Sequence, residues 1–230
     1  MSATDNLYSR TEMMLGALAT EKLKRAHVAV FGVGGVGGYC TEALARAGVG
    51  KLTLIDPDRV SISNKNRQII ALDSTVGRLK VDAMKDRILD INPDCEVCIL
   101  PLFYTADSES EVDFSSFDYV VDAIDTVKSK IAIIKRADAC GVRVISSMGA
   151  GNKLDPTRFC VTDIGKTHGD PLARAVRQAL RREGINSLKV VFSDEEPQGE
   201  REAGTPGSLS FVPGVAGLIL AGEVIKDIAK

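Results

Sequence analysis

Residues Val28 to Gly38 read Val-Ala-Val-Phe-Gly-Val-Gly-Gly-Val-Gly-Gly, an apolar run followed at once by a cluster of glycines. The run from His27 to Phe31 predicts a buried strand, and the spacing of residues 41–47 predicts a helix beyond the glycines. A strand, a glycine turn and a helix N-terminus together present backbone N–H groups to a phosphate. Without side chains in the turn, the phosphate can approach the backbone closely. This stretch therefore predicts a nucleotide-binding turn.

The spacing of the glycines and an acidic residue beyond them support the same interpretation. Gly32, Gly34 and Gly37 occupy the G-x-G-x-x-G positions, and Gly35 and Gly38 are additional glycines of the turn. A second apolar run at 52–55 ends in Asp56, about 20 residues after the last patterned glycine, where a carboxylate accepts hydrogen bonds from a ribose. The pattern is compatible with any nucleotide, so the chemistry must be inferred from residues further along the chain.

Composition and charge narrow the classes of protein that fit this chain. Its 230 residues can form one large α/β domain or two small ones. The formal net charge of −2 argues against a protein-wide field that attracts nucleic acid, although it is compatible with a local basic patch. The 5 cysteines are irregularly spaced, which indicates reduced thiols in a cytosolic protein. The N-terminus lacks the features of a signal peptide and the apolar run 211–222 is too short to span a bilayer, so we expect a cytoplasmic protein without a membrane anchor.

Apolar runs and helical patterns alternate along the rest of the chain. Strands are predicted at 27–31, 52–55, 95–102, 117–124, 141–146, 158–163 and 188–192. Helices are predicted within 9–25, at 41–47, 77–91 and 128–139, from Pro171 and from near Pro213. This alternation predicts an α/β fold of the Rossmann-like, doubly wound kind: a mostly parallel sheet with helices on both faces and a smaller C-terminal extension. Ligands of such sheets lie beyond the carboxyl ends of the strands, where Gly34, Asp56 and Asp125 all fall.

A polar stretch after the second predicted strand carries basic and amide side chains that a dinucleotide site does not require. Asn64, Arg67 and Gln68 lie close together in it, and Lys80 follows on the next predicted helix. Cations aimed at the crevice suit a triphosphate under attack, because charge develops on its oxygens and the leaving pyrophosphate must be neutralised. Asp125, at the end of a later strand, suits Mg²⁺, which favours one or two carboxylates together with phosphate oxygens. From spacing alone, Arg67 and Lys80 are equally compatible with ordinary solvated charges.

The order of these motifs resembles the adenylating-enzyme superfamily, which includes ubiquitin-activating E1 proteins and the bacterial activators of sulfur carriers. The matching motifs are Tyr8-x-Arg10, the glycine turn, Asp56, Ser63-Asn-x-x-Arg-Gln68, Lys80 and Asp122-x-x-Asp125. In such enzymes a carboxylate attacks the α-phosphate of ATP and gives an acyl adenylate and pyrophosphate. The resemblance implies ATP and Mg²⁺ as cofactors and a single E1-like adenylation domain over 1–230, with a nucleotide-binding half at about 26–150 and a substrate and dimer half at about 151–230.

The resemblance also implies roles for individual residues. The nucleotide-binding residues are then Gly32, Gly34, Gly35, Gly37, Asp56, Asp58, Asn64, Arg67, Gln68, Lys80, Asp122 and Asp125. Among them Asp56 would bind the ribose, while Asn64, Arg67 and Lys80 would contact the phosphates and Asp125 would hold Mg²⁺. The residues implied to act in catalysis are Arg10, Arg67, Lys80 and Asp125. Arg10 would reach the phosphates bound by a neighbouring subunit, which makes a homodimer the expected active form.

Motifs of the second half resemble the branch of this superfamily that dehydrates threonylcarbamoyladenosine in tRNA. They are Met148-Gly-Ala-Gly-Asn-Lys-Leu-Asp-Pro156, Asp163-Ile-x-Lys-Thr167, Asp170-Pro-Leu-Ala173 and Phe192-Ser-x-Glu-x-Pro197. Proteins of that branch activate the threonyl carboxylate of a modified adenosine beside the anticodon, and an internal nucleophile then displaces AMP and closes a ring. The resemblance implies the tRNA anticodon stem-loop as a partner. A sulfur-transfer partner such as a cysteine desulfurase, and a monovalent cation near Gly204 to Pro213, are left open.

The chain departs from carrier-activating relatives at its cysteines. Such relatives commonly have two C-x-x-C pairs that bind zinc, whereas this chain has only Cys95-Glu-Val-Cys98 in a predicted strand, where the two thiols point to opposite faces. The loop 167–171, where some relatives place a thioester-forming residue, has no cysteine. Cys160 is interpreted as a packing residue and His168 as a solvated loop residue. Because an intramolecular ring closure needs no enzyme thiol, these departures favour the dehydratase branch.

Arginines on the helix that begins at Pro171 are candidates for contact with tRNA. They are Arg174, Arg177, Arg181 and Arg182. Contacts of this kind with phosphates supply affinity rather than sequence choice. The same residues are equally typical of a solvated helix face.

Three functions remain open from the sequence. The leading hypothesis is an ATP-dependent tRNA-modifying enzyme that adenylates and cyclises threonylcarbamoyladenosine with loss of water. The second is activation of the C-terminal carboxylate of a ubiquitin-like sulfur carrier, which would use the same ATP residues. The third is a non-enzymatic dinucleotide-binding module, which would share only the glycines and Asp56.

Overall fold

Strands and helices alternate through the computed structural model, which describes residues 6–198 and 206–230. The strands are β1 His27–Phe31, β2 Lys51–Ile55, β3 Glu96–Leu100, β4 Tyr119–Asp122, β5 Arg143–Ser147, β6 Phe159–Asp163 and β7 Lys189–Ser193. The helices are α1 Ser9–Leu15, α2 Ala17–Arg25, α3 Gly37–Arg46, α4 Lys80–Ile91, α5 Val127–Ala139, α6 Pro171–Arg182 and α7 Val212–Ala229. In the described part of the chain, no helix is both long and apolar enough to cross a lipid bilayer. The predicted cation loop at 204–213 begins outside the described residues, at Gly204 and Thr205.

The described strands form one seven-stranded sheet in the order β3-β2-β1-β4-β5-β7-β6. Neighbouring strands are parallel, except that β6 runs antiparallel to β7. The chain moves outward from β1 to β2 and β3, then returns to β4 on the other side of β1. Such a reversal defines a doubly wound sheet, whose ligands bind where the direction changes. The predicted fold class is thus confirmed, and the C-terminal extension adds β6 and β7 to the same sheet.

Each face of the sheet carries its own layer of helices, because side chains alternate along the strands. On β1, Val28 and Val30 point to the layer of α2, α3, α4 and α7, where they join a core that includes Leu44 and Leu220. Phe31 points to the other face and packs with α5 and with aromatic residues of the segment 104–117. A further cluster packs α6 against α5 on that second face. Because helices cover both faces of the sheet, a ligand can reach it at the edge formed by the carboxyl ends of the strands.

Several element boundaries differ from the prediction by a few residues, and glycines fix two of the helix boundaries. The helix predicted at 77–91 begins at Lys80, because residues 77–79 pair with Arg59 and Val60 and Gly77 has a φ of 87°. The amphipathic stretch at 9–25, predicted to form one or two helices, forms α1 and α2, which are separated at Gly16, whose φ is 83°. Both glycines adopt the left-handed region, which costs glycine no steric strain. The start of α4, and Lys80 with it, is thereby fixed beside the loop that follows β2.

Candidate functional site

A cleft of about 800 Å³ opens at the carboxyl ends of β1, β2, β4 and β5. Its size lies within the range of small-molecule sites, about 300–1,000 Å³. The predicted residues that line it are Gly32, Gly34, Gly35, Asp56, Asp58, Asn64, Arg67, Gln68, Lys80 and Asp125. The opposite wall comes from the second half of the chain and includes residues 147–153, 170–172 and 206–208. The cleft therefore brings the glycine turn and the second half of the chain around one space.

The turn after β1 requires glycine at two positions. Gly32 has a φ of 87°, which L side chains rarely adopt. Gly37, the first residue of α3, lies so close to the strand end that a Cβ on it would be 1.8 Å from the carbonyl oxygen of Gly32. This close packing brings the N-terminus of α3 against β1. Backbone N–H groups at a helix N-terminus form a positive end that favours phosphate.

Asp56 is held rigidly at the end of β2. Its Oδ2 accepts a hydrogen bond from the backbone N–H of Val33 at 2.7 Å, and its Oδ1 accepts one from that of Asp58 at 2.9 Å. The residue is 5% exposed, and this burial raises its pKa against the lowering effect of Lys80 and of the two N–H donors. Each carboxylate oxygen keeps a further lone pair. Asp56 can therefore fasten the glycine turn and accept ribose hydroxyls at the same time.

The ammonium group of Lys80 enters the cleft beside two aspartates. Its Nζ lies 2.7 Å from Oδ2 of Asp58 and 4.0 Å from Oδ1 of Asp56. The Lys80 side chain is 7% exposed, whereas that of Asp58 is 63% exposed. A buried ammonium needs an opposite charge, and Asp58 supplies one that stays well hydrated. A phosphate that enters the cleft can replace this carboxylate at low cost.

The Ser-Asn-x-x-Arg-Gln element forms the outer part of the phosphate side. Asn64 caps a short turn by accepting the backbone N–H of Ser61 at 3.1 Å. Nη1 of Arg67 donates to neighbouring loop oxygens at 3.0 Å and 2.9 Å, and among the described residues the other guanidinium N–H groups have no partner and can serve a ligand. Gln68 is 7% exposed, its Nε2 lies 3.7 Å from where a Cβ on Gly34 would stand, and its Oε1 has no hydrogen-bond partner within 6–198 and 206–230. An unpaired buried amide beside the glycine turn is a group that a ligand would complete.

The two aspartates predicted after β4 differ in position. Asp125 is exposed and lines the cleft, and its Oδ1 accepts a hydrogen bond from the hydroxyl of Thr126 at 3.4 Å. Asp122 is fully buried, and its Oδ2 accepts hydrogen bonds from Nζ of Lys130 at 2.9 Å and from Oγ of Ser146 at 2.5 Å. Asp122 therefore joins β4 to β5 and α5 beneath the surface of the cleft. Its buried carboxylate does not line the cleft, whereas the sequence led us to expect a contact with the nucleotide.

The wall from the second half contains two residues that the sequence does not mark as site residues, Asp170 and Lys153. Asp170 caps α6 by accepting a backbone N–H of the first turn at 3.0 Å, and its other oxygen accepts the N–H of Gly149 at 2.9 Å. Lys153 is 3% exposed and donates to the carbonyl oxygens of Ser193 and Glu195. The Asp-Pro pair at 170–171 signals the cap in the sequence. No spacing in the sequence signals the contacts of Lys153, because they depend on how β7 lies in the sheet.

The remaining predicted site residues lie elsewhere. Arg10 is exposed on α1 and is not part of the cleft wall of its own chain. The arginines exposed on α6 are Arg174, Arg181 and Arg182. Arg177 turns toward the protein, where its Nη1 donates to the carbonyl oxygen of Thr167 at 2.8 Å. Arg177 thus braces the segment that precedes α6, which is a structural role that its spacing does not reveal.

His168 and the cysteines are not part of the cleft wall either. His168 is exposed and packs edge-on against Phe192, with ring centroids 5.7 Å apart. Cys160 is exposed on β6, so its interpretation as a packing residue is wrong, whereas Cys95 is buried and Cys98 is half-buried. Among the described residues, no group of three or more His, Cys, Asp or Glu side chains is placed to hold a metal ion.

Comparison with known sequences relates the chain to adenylating enzymes. Residues 8–230 match the model of the ThiF family. A tRNA threonylcarbamoyladenosine dehydratase of Bacillus subtilis is 49% identical, with 97% of this chain and 94% of the relative covered. The enzyme of the same name from Escherichia coli is 41% identical, with 82% and 73% covered. The molybdopterin-synthase adenylyltransferase of Escherichia coli is 33% identical, with 91% and 75% covered.

Solved structures show the same likeness over nearly the full length. The Escherichia coli tRNA N6-threonylcarbamoyladenosine dehydratase in complex with AMP has a TM-score of 0.90 at 34% identity, with 99% of this chain and 97% of that chain covered. Its complex with ATP has a TM-score of 0.89 at 35% identity, with 96% and 93% covered. The likeness thus includes both halves of the chain, with the glycine turn and the wall that faces it. The sheet is doubly wound, with the cleft where the strand order changes direction, and the ThiF family model matches the chain from residue 8 to residue 230. The chain therefore belongs to the ThiF family.

Proposed function

We propose that this protein is an ATP-dependent tRNA-modifying enzyme. It adenylates the carboxylate of N6-threonylcarbamoyladenosine in the anticodon loop and cyclises that group with loss of water, releasing AMP and pyrophosphate. The observation that carries the proposal is the single cleft in which Asp56, Arg67 and Lys80 face a wall from the second half of the chain. Relatives named for this activity, 49% and 41% identical, support the choice of substrate.

In the first step, a carboxylate oxygen of the substrate attacks the α-phosphorus of ATP, and the bond to the β-phosphate oxygen breaks. Negative charge grows on the departing pyrophosphate and on the α-phosphate oxygens. Arg67 and Lys80 stand on the phosphate side of the cleft, and donors placed before the reaction stabilise such charge most effectively. Asp56 would hold the ribose, so that the α-phosphorus faces the opposite wall.

In the second step, a nucleophile of the same substrate attacks the acyl carbon. The bond between the acyl carbon and the phosphate oxygen breaks, and AMP leaves with one oxygen of the former carboxylate. The nucleophile gives up its proton, so the nucleoside loses the elements of water at the expense of ATP. This route needs no enzyme thiol, and the described residues that line the cleft include no cysteine.

Asp125 is the residue that would hold Mg²⁺. Its carboxylate is exposed in the cleft, where its neighbour Thr126 donates a hydrogen bond to it. Mg²⁺ favours one or two carboxylates, phosphate oxygens and water over a cage made of protein ligands, so a single carboxylate fits this ion. When bound, Mg²⁺ would neutralise charge on the phosphate oxygens.

The proposal includes a homodimer in which Arg10 reaches phosphates bound by the partner subunit. Arg10 is exposed and lies on α1, outside the cleft wall of its own chain. Strands from both halves share one sheet, which supports a single adenylation domain over 1–230. A sulfur-transfer partner and a monovalent cation remain predictions from the resemblance.

Activation of a ubiquitin-like sulfur carrier is the alternative function. It would use the same ATP residues, and the molybdopterin-synthase adenylyltransferase at 33% identity favours it. This relative is more distant than the dehydratases at 49% and 41% identity. Exchange of labelled pyrophosphate into ATP that requires a carrier protein, and not tRNA, would establish the alternative. A dinucleotide-binding module would be distinguished from both by titration with NAD and with ATP and Mg²⁺.

The decisive experiment incubates the protein with ATP, Mg²⁺ and tRNA that carries the threonylcarbamoyl group. We expect AMP and pyrophosphate in the supernatant and, after digestion of the tRNA, a nucleoside lighter by one water in the mass spectrum. The control is the same tRNA without the threonylcarbamoyl group, which should release no AMP. An unchanged nucleoside, under conditions where ATP and tRNA are both shown to bind, would refute the proposal.

A further inference from the structure

A buried lysine lies in the cleft wall that faces the phosphate side. Lys153 is 3% exposed and lines the cleft. Its Nζ donates to the carbonyl oxygen of Ser193 at 3.2 Å and to that of Glu195 at 2.6 Å. Ser193 is the last residue of β7, so the ammonium group is anchored at the same edge of the sheet as the glycine turn.

The ammonium group of Lys153 has no opposite charge bonded to it among the described residues, since both of its hydrogen bonds go to backbone carbonyls. The neighbouring carboxylates are occupied elsewhere. Glu195 accepts the backbone N–H groups of residues 154 and 155 at 2.9 Å and 3.0 Å, and Asp170 accepts two other backbone N–H groups. Burial lowers the pKa of Lys153, and the nearby charges of Asp170 and Glu195 offset only part of this effect. A buried cation that is bonded to no carboxylate is costly, and an anion that binds it directly in the cleft would reduce that cost.

Adenylation requires two anions to meet in this cleft. The substrate carboxylate must approach the α-phosphate of ATP, although both groups carry negative charge. Arg67 and Lys80 lie on the phosphate side, so a cation on the facing wall is needed to hold the carboxylate in place. Among the described residues that line the cleft, Lys153 is the remaining cationic side chain.

We propose that Lys153 binds the carboxylate of the acyl substrate and makes the protein select free acids over their esters and amides. This inference rests on the proposed function, because it takes the threonyl carboxylate as the incoming anion. Two N–H groups of the ammonium are held by carbonyl oxygens, and the third is available for a carboxylate oxygen. Because the two carbonyls orient the group before the substrate arrives, the new hydrogen bond costs little side-chain entropy.

The test compares two RNA hairpins with the sequence of an anticodon stem-loop. One carries N6-threonylcarbamoyladenosine as the free acid, and the other carries its methyl ester. Binding is measured by fluorescence anisotropy without ATP, so that neither hairpin reacts. The wild-type protein should bind the acid about tenfold more tightly than the ester, because the ester cannot form the charge-assisted hydrogen bond.

Variants of Lys153 separate its charge from its contacts with the backbone. Lys153→Gln keeps N–H donors for the carbonyl oxygens but removes the charge, and should bring the acid-to-ester ratio close to one. Its affinity for ATP should stay within about twofold of wild type, because the phosphate side is untouched. Lys153→Arg keeps the charge and should retain part of the preference. The matched control is Lys51→Gln, at the opposite end of β2 and paired with Glu96, which should keep the wild-type ratio.

The outcomes separate this inference from the proposed function. If the wild-type protein converts modified tRNA but binds acid and ester equally, or if folded Lys153→Gln keeps the wild-type preference, Lys153 is a structural clamp and the inference is refuted. Lys153→Met, uncharged and of similar length, gives the same test if Lys153→Gln does not fold. If the wild-type protein forms no AMP with modified tRNA, the proposed function itself fails.

Discussion

Lys80 is paired with a carboxylate that an incoming phosphate can displace. Asp58 is 63% exposed and remains hydrated without the ion pair, whereas Lys80 is 7% exposed and depends on an anionic partner. The contact of 2.7 Å between them marks the place where a phosphate oxygen would bind. Asp56, only 4.0 Å away, keeps the same ammonium directed toward the ribose end of the cleft. The buried cation therefore holds one orientation with either partner.

Replacing Lys80 with alanine tests this role. Lys80→Ala should slow AMP formation by about 100-fold or more, because a donor placed at developing charge contributes that much to catalysis. The unfolding temperature should fall by only a few degrees, since Asp58 is left hydrated. Pyrophosphate release and thermal unfolding measure the two effects, with Lys51→Ala as the control. A folded Lys80→Ala protein with wild-type activity would exclude the lysine from catalysis.

The sequence predicts the phosphate side of the cleft much better than the wall that faces it. The glycine turn, Asp56 and Lys80 belong to consecutive elements, so their spacing along the chain reports their proximity. Lys153 contacts residues 40 and 42 positions away, and the contact exists only because β7 lies beside β5. Asp122 follows the same logic, since its burial depends on Ser146 of a neighbouring strand. Contacts that depend on which strands are neighbours in the sheet cannot be predicted from the spacing of residues along the chain.

Among the elements, α3 is the helix on which the nucleotide site depends most directly. Its N-terminus can lie against the end of β1 only because Gly37 has no Cβ. Its apolar side packs into the core shared with α7, through residues such as Leu44 and Leu220. The packing of α3 in the core therefore fixes the position of the glycine turn relative to the sheet.

A pair of glycine substitutions tests the packing of α3. Gly37→Ala should lower the free energy of unfolding by about 3 kcal/mol or more, because its Cβ would lie 1.8 Å from the carbonyl oxygen of Gly32. Gly222→Ala in α7 is the control, since a Cβ there meets no atom of the described residues within 4 Å. Its better helix propensity should stabilise the protein by about 0.5–1 kcal/mol. Urea unfolding followed by circular dichroism measures both, and similar values for the two variants would contradict the steric requirement.

Glu42 joins α3 to α4. Its carboxylate accepts hydrogen bonds from Arg46 at 3.0 Å and 2.7 Å and from Nη2 of Arg87 at 3.1 Å. Burial alone would raise the pKa of Glu42, but the two guanidinium groups outweigh it and lower the pKa. Stabilisation that comes from a lowered pKa is fully present above the value of the unfolded chain, about 4.3, and is lost as the pH falls through the folded value.

Glu42→Gln should therefore have an effect on stability that depends on pH. At neutral pH the free energy of unfolding should fall by about 1–2 kcal/mol, because charge-assisted hydrogen bonds are weakened. The difference from wild type should shrink as the pH drops below about 4 and Glu42 becomes protonated in both states. Urea unfolding over a pH series gives the comparison. Glu21→Gln, in an exposed pair with Lys24, should change little at any pH, and a Glu42→Gln effect independent of pH would rule out the charge as its source.

The helix α6 leads from the rim of the cleft to a basic end. Pro171 and Leu172 line the cleft, and the helical rise places the end of α6 about 15 Å further on. Joint replacement of Arg174, Arg181 and Arg182 with glutamine should weaken tRNA binding at low salt and reduce its dependence on salt, because fewer phosphates are neutralised. Affinities for tRNA at several KCl concentrations test this. An unchanged salt dependence would show that these arginines form a solvated helix face. Arg177 donates a hydrogen bond to Thr167, so Arg177→Gln should instead lower the thermal stability of the protein.

Strands and helices are predicted closely, whereas their order in the sheet is not. Apolar runs and helical spacing locate nearly every element, because those patterns follow from burial of each element's own face. The pairing of β7 with β5, and its antiparallel pairing with β6, involve strands brought together only by the folded backbone. The start of α4 is missed because Gly77 and the bridge between Arg59 and Leu79 delay the helix. Local patterns thus determine the elements, and long-range hydrogen bonds determine the site between them.

At the scale of the whole molecule, the two N-terminal helices expose large apolar side chains to solvent. Met13 is 77% exposed, and Met14 and Leu18 are each 84% exposed. The helix α1 is anchored just before its start, where the Tyr8 hydroxyl donates to Oδ1 of Asn92 at 3.2 Å. An exposed apolar surface of this kind is typical of a face that another subunit covers. Met13 and Met14 lie on the helix that carries Arg10, which supports the proposed dimer in which that arginine reaches the partner's cleft.

Mixing two inactive variants tests whether Arg10 acts across the dimer. In a hybrid of Arg10→Ala and Lys80→Ala subunits, one cleft combines the intact Lys80 of one chain with the intact Arg10 of the other, while the second cleft lacks both. Random exchange of subunits should therefore restore about a quarter of the wild-type activity, because half of the dimers are hybrids with one working site of two. AMP formation is measured before and after exchange, which mass spectrometry of differently labelled subunits verifies. If Arg10 acts within its own chain, no cleft in the hybrid is complete, and activity stays at the level of the separate variants.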